Sequence, residues 1–188
     1  MNLPNILTLG RIAAVPAFAL LLLYHGEGFH EGVPSAWLRH LATAIFFAAV
    51  FTDALDGYIA RRFHQKTHLG TILDPLADKL LLVTALILLS WNRGHAFPQI
   101  PLWFPVLVLS RDILVMLGIA VIFMLGRGIE VRTHWIGKVS TGLQMAALAL
   151  VLLGVPGAPL EIAIWLGGLS TLISGVIYFS RGIRLLAS

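Results

Sequence analysis

Four of the nine acidic residues in this chain, Asp53, Asp56, Asp74 and Asp78, fall between positions 53 and 78, at or just inside the ends of two apolar segments. Ionisable groups at membrane depth are costly and are usually kept for function. Asp53 and Asp56 are spaced i, i+3, and Asp74 and Asp78 are spaced i, i+4, so each pair projects from one face of a helix. A hairpin of those two helices brings the four carboxylates together, where they repel one another and call for a compensating cation. Ligands that are all oxygen select a hard ion; Mg²⁺ and Mn²⁺ suit the set best and Ca²⁺ also fits. Two ions can be accommodated, one against a transferred phosphate and one against a leaving group.

The residues around the acids fit a phosphate site. Gly57 removes a side chain beside Asp56, Ala60 continues the same narrow face, and Arg61 has the charge to clamp a phosphate. Gly70 falls in the stretch between the two segments, where a permissive backbone helps the chain turn back. Plainer roles are also open to these residues. Asp74 before Pro75 has the form of a helix N-cap with proline at the first helical position. Gly57 and Ala60 can serve helix packing, and Arg61 and Arg62 can serve as topology charges.

The elements that must carry these groups are apolar. Of 188 residues, 58% are hydrophobic and 12% charged, with a mean hydropathy of +0.89, well outside the balance of a soluble domain. Apolar runs between turn signals predict six membrane-spanning helices at 5–24, 36–61, 76–93, 101–126, 135–154 and 160–180. The expected fold is therefore an all-α integral membrane protein, one domain over 1–188, with six transmembrane helices around a polar cavity. His25-Gly26-Glu27-Gly28 is expected to end the first span, and the lack of a basic leader marks that span as uncleaved. The chain contains no cysteine, which excludes disulfides, thiolate nucleophiles and cysteine zinc sites. Its formal charge of +4 is scattered between apolar segments, a pattern suited to lipid headgroups and a phosphate substrate and not to nucleic acid. Arg61, Arg62, Lys66, Lys79, Arg127, Arg132, Lys138, Arg181 and Arg184 lie on the side of the N-terminus, against Arg39 and Arg93 opposite. The positive-inside rule then makes both termini and the acidic site cytosolic.

The stretch Asp53-Ala-Leu-Asp56-Gly57-Tyr-Ile-Ala60-Arg61, followed by Gly70, Asp74 and Asp78, resembles the signature of the CDP-alcohol phosphotransferase family, D-x2-D-G-x2-A-R-x8-G-x3-D-x3-D. All eight fixed positions match with the right spacing. Looser likeness covers the rest of the chain, including Asn5-Ile-Leu-Thr8-Leu-Gly-Arg11 and Gly137-Lys138-Val-Ser-Thr-Gly-Leu-Gln144, which look like the glycerol-lipid branch. The resemblance implies that Asp53, Asp56 and Asp74 hold a metal pair, and that Asp78 completes it and is the base that deprotonates the acceptor hydroxyl. It implies that Asp56, Gly57, Ala60, Arg61 and Gly70 line the CDP site. It further implies a homodimer in a bacterial inner membrane, a donor that is CDP-diacylglycerol, and attack by the acceptor on the lipid-side phosphorus with loss of CMP and no covalent enzyme intermediate.

Arg111, Asp112 and Lys138 are polar where apolar helices do not need them. Arg111 and Lys138 are candidates to bind an acceptor phosphate, with Asp112 orienting Arg111; a structural Arg111–Asp112 pair and an interfacial Lys138 are the plainer readings. The N-terminal and Gly137-Lys138 segments resemble phosphatidylglycerophosphate synthases, whose acceptor is glycerol 3-phosphate. Ser110-Arg111-Asp112 looks more like the CMP-forming cardiolipin synthases, whose acceptor is phosphatidylglycerol. A cation transporter with an intramembrane aspartate path is a different class of reading, and a cation at Arg61 opposes it. His64, His68 and His134 read as loop residues. Gly167, Gly168, Ser174 and Gly175 permit close packing of the sixth span.

Overall fold

The computed structural model describes the backbone of residues 3–33, 35–62, 68–91, 96–124 and 135–187, and their side chains except at 3–7, 54–62, 68–76, 78, 119, 121–123 and 181–187. Among the described residues every regular element is an α-helix: α1 Leu3–His30, α2 Ala36–Arg62, α3 His68–Ser90, α4 Trp103–Met124, α5 Trp135–Leu153 and α6 Ala158–Ala187. Three stretches, Thr8–His30, Trp135–Leu153 and Ala158–Ser180, are long and apolar enough to cross a bilayer. Large apolar side chains such as Leu23, Phe51, Met116, Trp165 and Phe179 stand exposed on the outer faces, as a lipid-facing surface requires.

Three expected boundaries move by more than a turn; α6 runs on to Ala187, past the expected end at 180. The first helix runs through His25-Gly26-Glu27-Gly28 and stops at His30. Its end is a Schellman motif: Gly32 takes φ 77°, its amide donates to Phe29 O at 3.3 Å, and the Val33 amide donates to Gly28 O at 2.8 Å. A Cβ on Gly28 would sit 2.9 Å from the Val33 carbonyl oxygen, so this glycine makes room for the turn. Burial of His25, whose Nδ1 donates to Ser35 O at 3.1 Å and whose ring lies edge-on to Phe97, offsets the roughly 1 kcal/mol that each helical glycine costs. The third helix starts at His68, not near 76. Gly70, expected in a connection, is therefore helical, and Asp74 lies inside the helix, not at its N-cap. Pro75, also internal, has no N–H to give the Thr71 carbonyl. His68, expected in a loop, is therefore the first residue of the helix, while His64 and His134 lie outside the described residues.

The chain divides into two compact units, residues 1–99 with 151–154, and residues 100–150 with 155–188. In the first, α1 packs against both α2 and α3. The buried residues of α1 are Thr8, Arg11, Val15, Phe18, Leu22 and His25, alternating three and four apart as in a coiled-coil seam. Those of α2 are Ala42, Phe46 and Ala49, and those of α3 run from Ala77 through Leu81, Leu82, Ala85 and Leu86 to Leu89. Phe18 meets Phe46 with ring centroids 6.1 Å apart.

In the second unit α6 packs on α4 with Gly167 and Gly168 at the contact. Trp103 lies 5.0 Å from Trp165 between ring centroids, and a Cβ on Gly168 would fall 2.6 Å from the Trp103 ring. The small residues of α6 thus make room for aromatic side chains of the same chain. Ser140 and Gln144 of α5 bond Thr171 of α6 at 2.9 Å and 2.7 Å, and such a bond inside a membrane is worth about 0.6 kcal/mol. Gly168→Val is expected to destabilise the protein by about 1–3 kcal/mol through overpacking, read as a lower unfolding midpoint in detergent; an unchanged midpoint would contradict the Trp103 contact.

Candidate active site

The signature falls on the last three turns or so of α2 and the first three or so of α3. The side chain of Asp53 is described there. Those of Asp56, Gly57, Ala60, Arg61, Gly70, Asp74 and Asp78 lie outside the described residues, although each of these positions is helical. Helical spacing carries the inward faces toward them. Asp53 lies seven residues beyond Phe46 on the seam of α2, and positions 56, 57 and 60 continue that side. On α3, position 78 is three before Leu81 and four before Leu82, and position 74 is three before Ala77, all of which are buried.

Asp53 is met by a residue of α1. Arg11 Nη1 donates to Asp53 Oδ1 at 2.9 Å, and the two side chains differ sharply in access, at 1% exposed for Arg11 and 40% for Asp53. Arg11 lies seven residues before Phe18 on α1, and Asp53 seven residues after Phe46 on α2. The ion pair is therefore the next heptad of the same antiparallel seam, with the aromatic pair behind it. For a divalent ion the donor chemistry fits: an accessible carboxylate at Asp53, carboxyl oxygens as the only donor type at the other acidic positions of the signature, and no competing thiolate because the chain has no cysteine.

The second unit holds the other candidates. Arg111 is largely buried on α4; its Nε donates to Ser174 Oγ at 3.1 Å, its Nη1 to Asp112 Oδ1 at 2.8 Å, and its guanidinium carbon lies 5.2 Å from the Tyr178 ring centre. A Cβ on Gly137 would stand 3.1 Å from Arg111 Nη2 and 3.0 Å from the Tyr178 hydroxyl. The start of α5 thus has little room for a side chain at position 137, and it brings exposed Lys138 next in sequence to the Arg111 contact. Asp112 does hold Arg111, as the spacing suggested. Ser174 was expected only to permit close packing, and its bond to Arg111, the place of Tyr178 and that of Arg11 as a partner of Asp53 were not foreseen; the signal for the first two is their i, i+4 spacing on a helix that needs no polar groups.

These features describe a helical membrane protein with an accessible carboxylate backed by a buried arginine at one end of an apolar seam. Residues 1–176 match the family model for CDP-alcohol phosphatidyltransferase. The chain is similar to the CDP-diacylglycerol–glycerol-3-phosphate 3-phosphatidyltransferase of Bacillus subtilis strain 168, at 37% identity over 96% of this chain and 94% of the relative. It is similar to the proteins of the same name from Rickettsia bellii, at 36% identity over 95% and 93% of the two chains, and Escherichia coli K12, at 34% over 80% and 76%. The chain belongs to the CDP-alcohol phosphatidyltransferase family and is a membrane transferase of phospholipid synthesis.

Arg111 and Asp112 are each only about a tenth exposed, at 11% and 10% of the side chain. Asp112→Ala is expected to cost about 3–5 kcal/mol by stranding a buried guanidinium, whereas replacing both residues by apolar ones of similar volume costs much less. Unfolding midpoints of the two single variants and the double variant in detergent check this; a double loss equal to the sum of the single losses would show that the pair is not coupled.

Proposed function

We propose that this chain transfers the phosphatidyl group of CDP-diacylglycerol to the hydroxyl of glycerol 3-phosphate and releases CMP. The observation that carries the reading is the complete eight-position signature, set on the end of α2 and the start of α3. The names of the relatives support glycerol 3-phosphate as acceptor. In this reading the chain is one domain of six membrane spans and works as a homodimer in a bacterial inner membrane. Its termini and polar cavity face the cytosol, in line with the bias of Lys and Arg.

Asp53, Asp56, Asp74 and Asp78 would hold two Mg²⁺ or Mn²⁺ ions, which when bound supply positive charge against the diphosphate. Asp56, Gly57, Ala60 and Gly70 form the wall along which the cytidine diphosphate lies, and Arg61 grips its phosphate. Arg111 and Lys138 bind the phosphate of glycerol 3-phosphate. Asp78 takes the proton of the acceptor hydroxyl while that oxygen attacks the lipid-side phosphorus in line. The bond from that phosphorus to the bridging oxygen breaks, and its electron pair leaves with CMP.

Purified protein given CDP-diacylglycerol, with Mg²⁺ or Mn²⁺, is expected to release CMP with glycerol 3-phosphate and not with phosphatidylglycerol. The lipid product identifies the acceptor, and no CMP with any alcohol would overturn the reading. Asp78→Asn is expected to cut turnover by about 10²–10⁴-fold while CDP-diacylglycerol still binds; preserved turnover would rule out Asp78 as the base. Arg111→Gln and Lys138→Gln should each raise the KM for glycerol 3-phosphate about 10- to 100-fold, the scale of a charged hydrogen bond, with the KM for the donor unchanged.

A further inference from the structure

The two partners of the Arg11–Asp53 ion pair differ in exposure. Here the guanidinium is the hidden partner, 1% exposed, and the carboxylate is the open one, 40% exposed. Arg11 therefore approaches Asp53 from the core and leaves the other side of the carboxylate open. The contact is made to Oδ1 at 2.9 Å, and a carboxylate has about four lone-pair positions on its two oxygens, so one hydrogen bond orients the group without using up its capacity to bind a cation.

The position of the guanidinium is set by packing. Arg11 stands on the seam that carries Phe18, and Asp53 on the seam that carries Phe46, with those rings 6.1 Å apart. Register along the two helices is thus held by an aromatic contact two turns away, and a side chain on a helix with locked neighbours is a better mount for a ligand than one on a loop.

We propose that Arg11 is a positioning residue that holds Asp53 in the orientation in which it ligates a divalent cation. This rests on the reading of Asp53 as a metal ligand given above. Outer partners of metal ligands characteristically change metal affinity or activity by about 10–100-fold when removed.

The test is Mn²⁺ binding to the purified full chain in detergent, followed by electron paramagnetic resonance without substrate, so that binding is read apart from turnover. Arg11→Gln is expected to weaken Mn²⁺ binding about 10–100-fold. Arg11→Lys should lose less, because the ammonium keeps the charge but not the planar fork. In an Asp53→Asn background Arg11→Gln should change Mn²⁺ binding no further, since the residue acts through Asp53. Wild-type binding by Arg11→Gln, or the same fold loss in both backgrounds, would overturn the positioning role. Binding untouched by Asp53→Asn alone would instead overturn the ligand reading beneath it. Should Arg11→Gln fail to fold, Arg11→Lys carries the same comparison in both backgrounds.

Discussion

A guanidinium placed among apolar helices loses the water that would stabilise its charge, and an opposite charge within hydrogen-bond reach is one way to hold it. In the first unit Asp53 does this for Arg11, and much of the local architecture can be understood as what that contact demands. It needs α1 and α2 antiparallel, in one register, with small residues close enough for the helices to approach. Ala42 and Ala49 flank Phe46 on α2, and the Phe18–Phe46 contact sets the register.

The same economy governs the second unit. Arg111 is enclosed by Asp112, Ser174 and the Tyr178 ring, and Gly137 leaves the space it occupies. Deeper along the α5–α6 contact the polar atoms are hydroxyls and an amide that bond one another. Each unit thus has seams that are apolar over part of their length and polar over the rest, and the residues proposed for chemistry lie in the polar part.

Much of this was legible in the residues alone. The acids announced themselves by type and spacing in an apolar chain, and the six helices followed from the apolar runs. Asp112 was read correctly as the partner of Arg111. The extension of α1 past Gly26 and Gly28 was not legible, because local propensity marks glycine as a breaker and the compensating contacts of His25 with Ser35 and Phe97 are made by distant positions. The start of α3 was hidden for a related reason: Asp74-Pro75 has the local form of a helix start, and only the preceding turns reveal that the helix is already under way. Arg11 sits 42 residues from Asp53; its part was written in the heptad seams of two helices, and a pairing between seams appears only when they are laid together.

The buried arginine of α1 also bears on how the chain is made. An arginine at the centre of a membrane helix costs about 2.5–3.5 kcal/mol on insertion scales, and less toward an end. Asp53 lies on the next helix, so α1 by itself carries Arg11 without its partner. Arrival of α2 supplies the counter-charge and the aromatic contact together. The cost of placing Arg11 among apolar helices is thus offset by a residue of α2, which favours insertion of the two helices as a hairpin over insertion of the first alone.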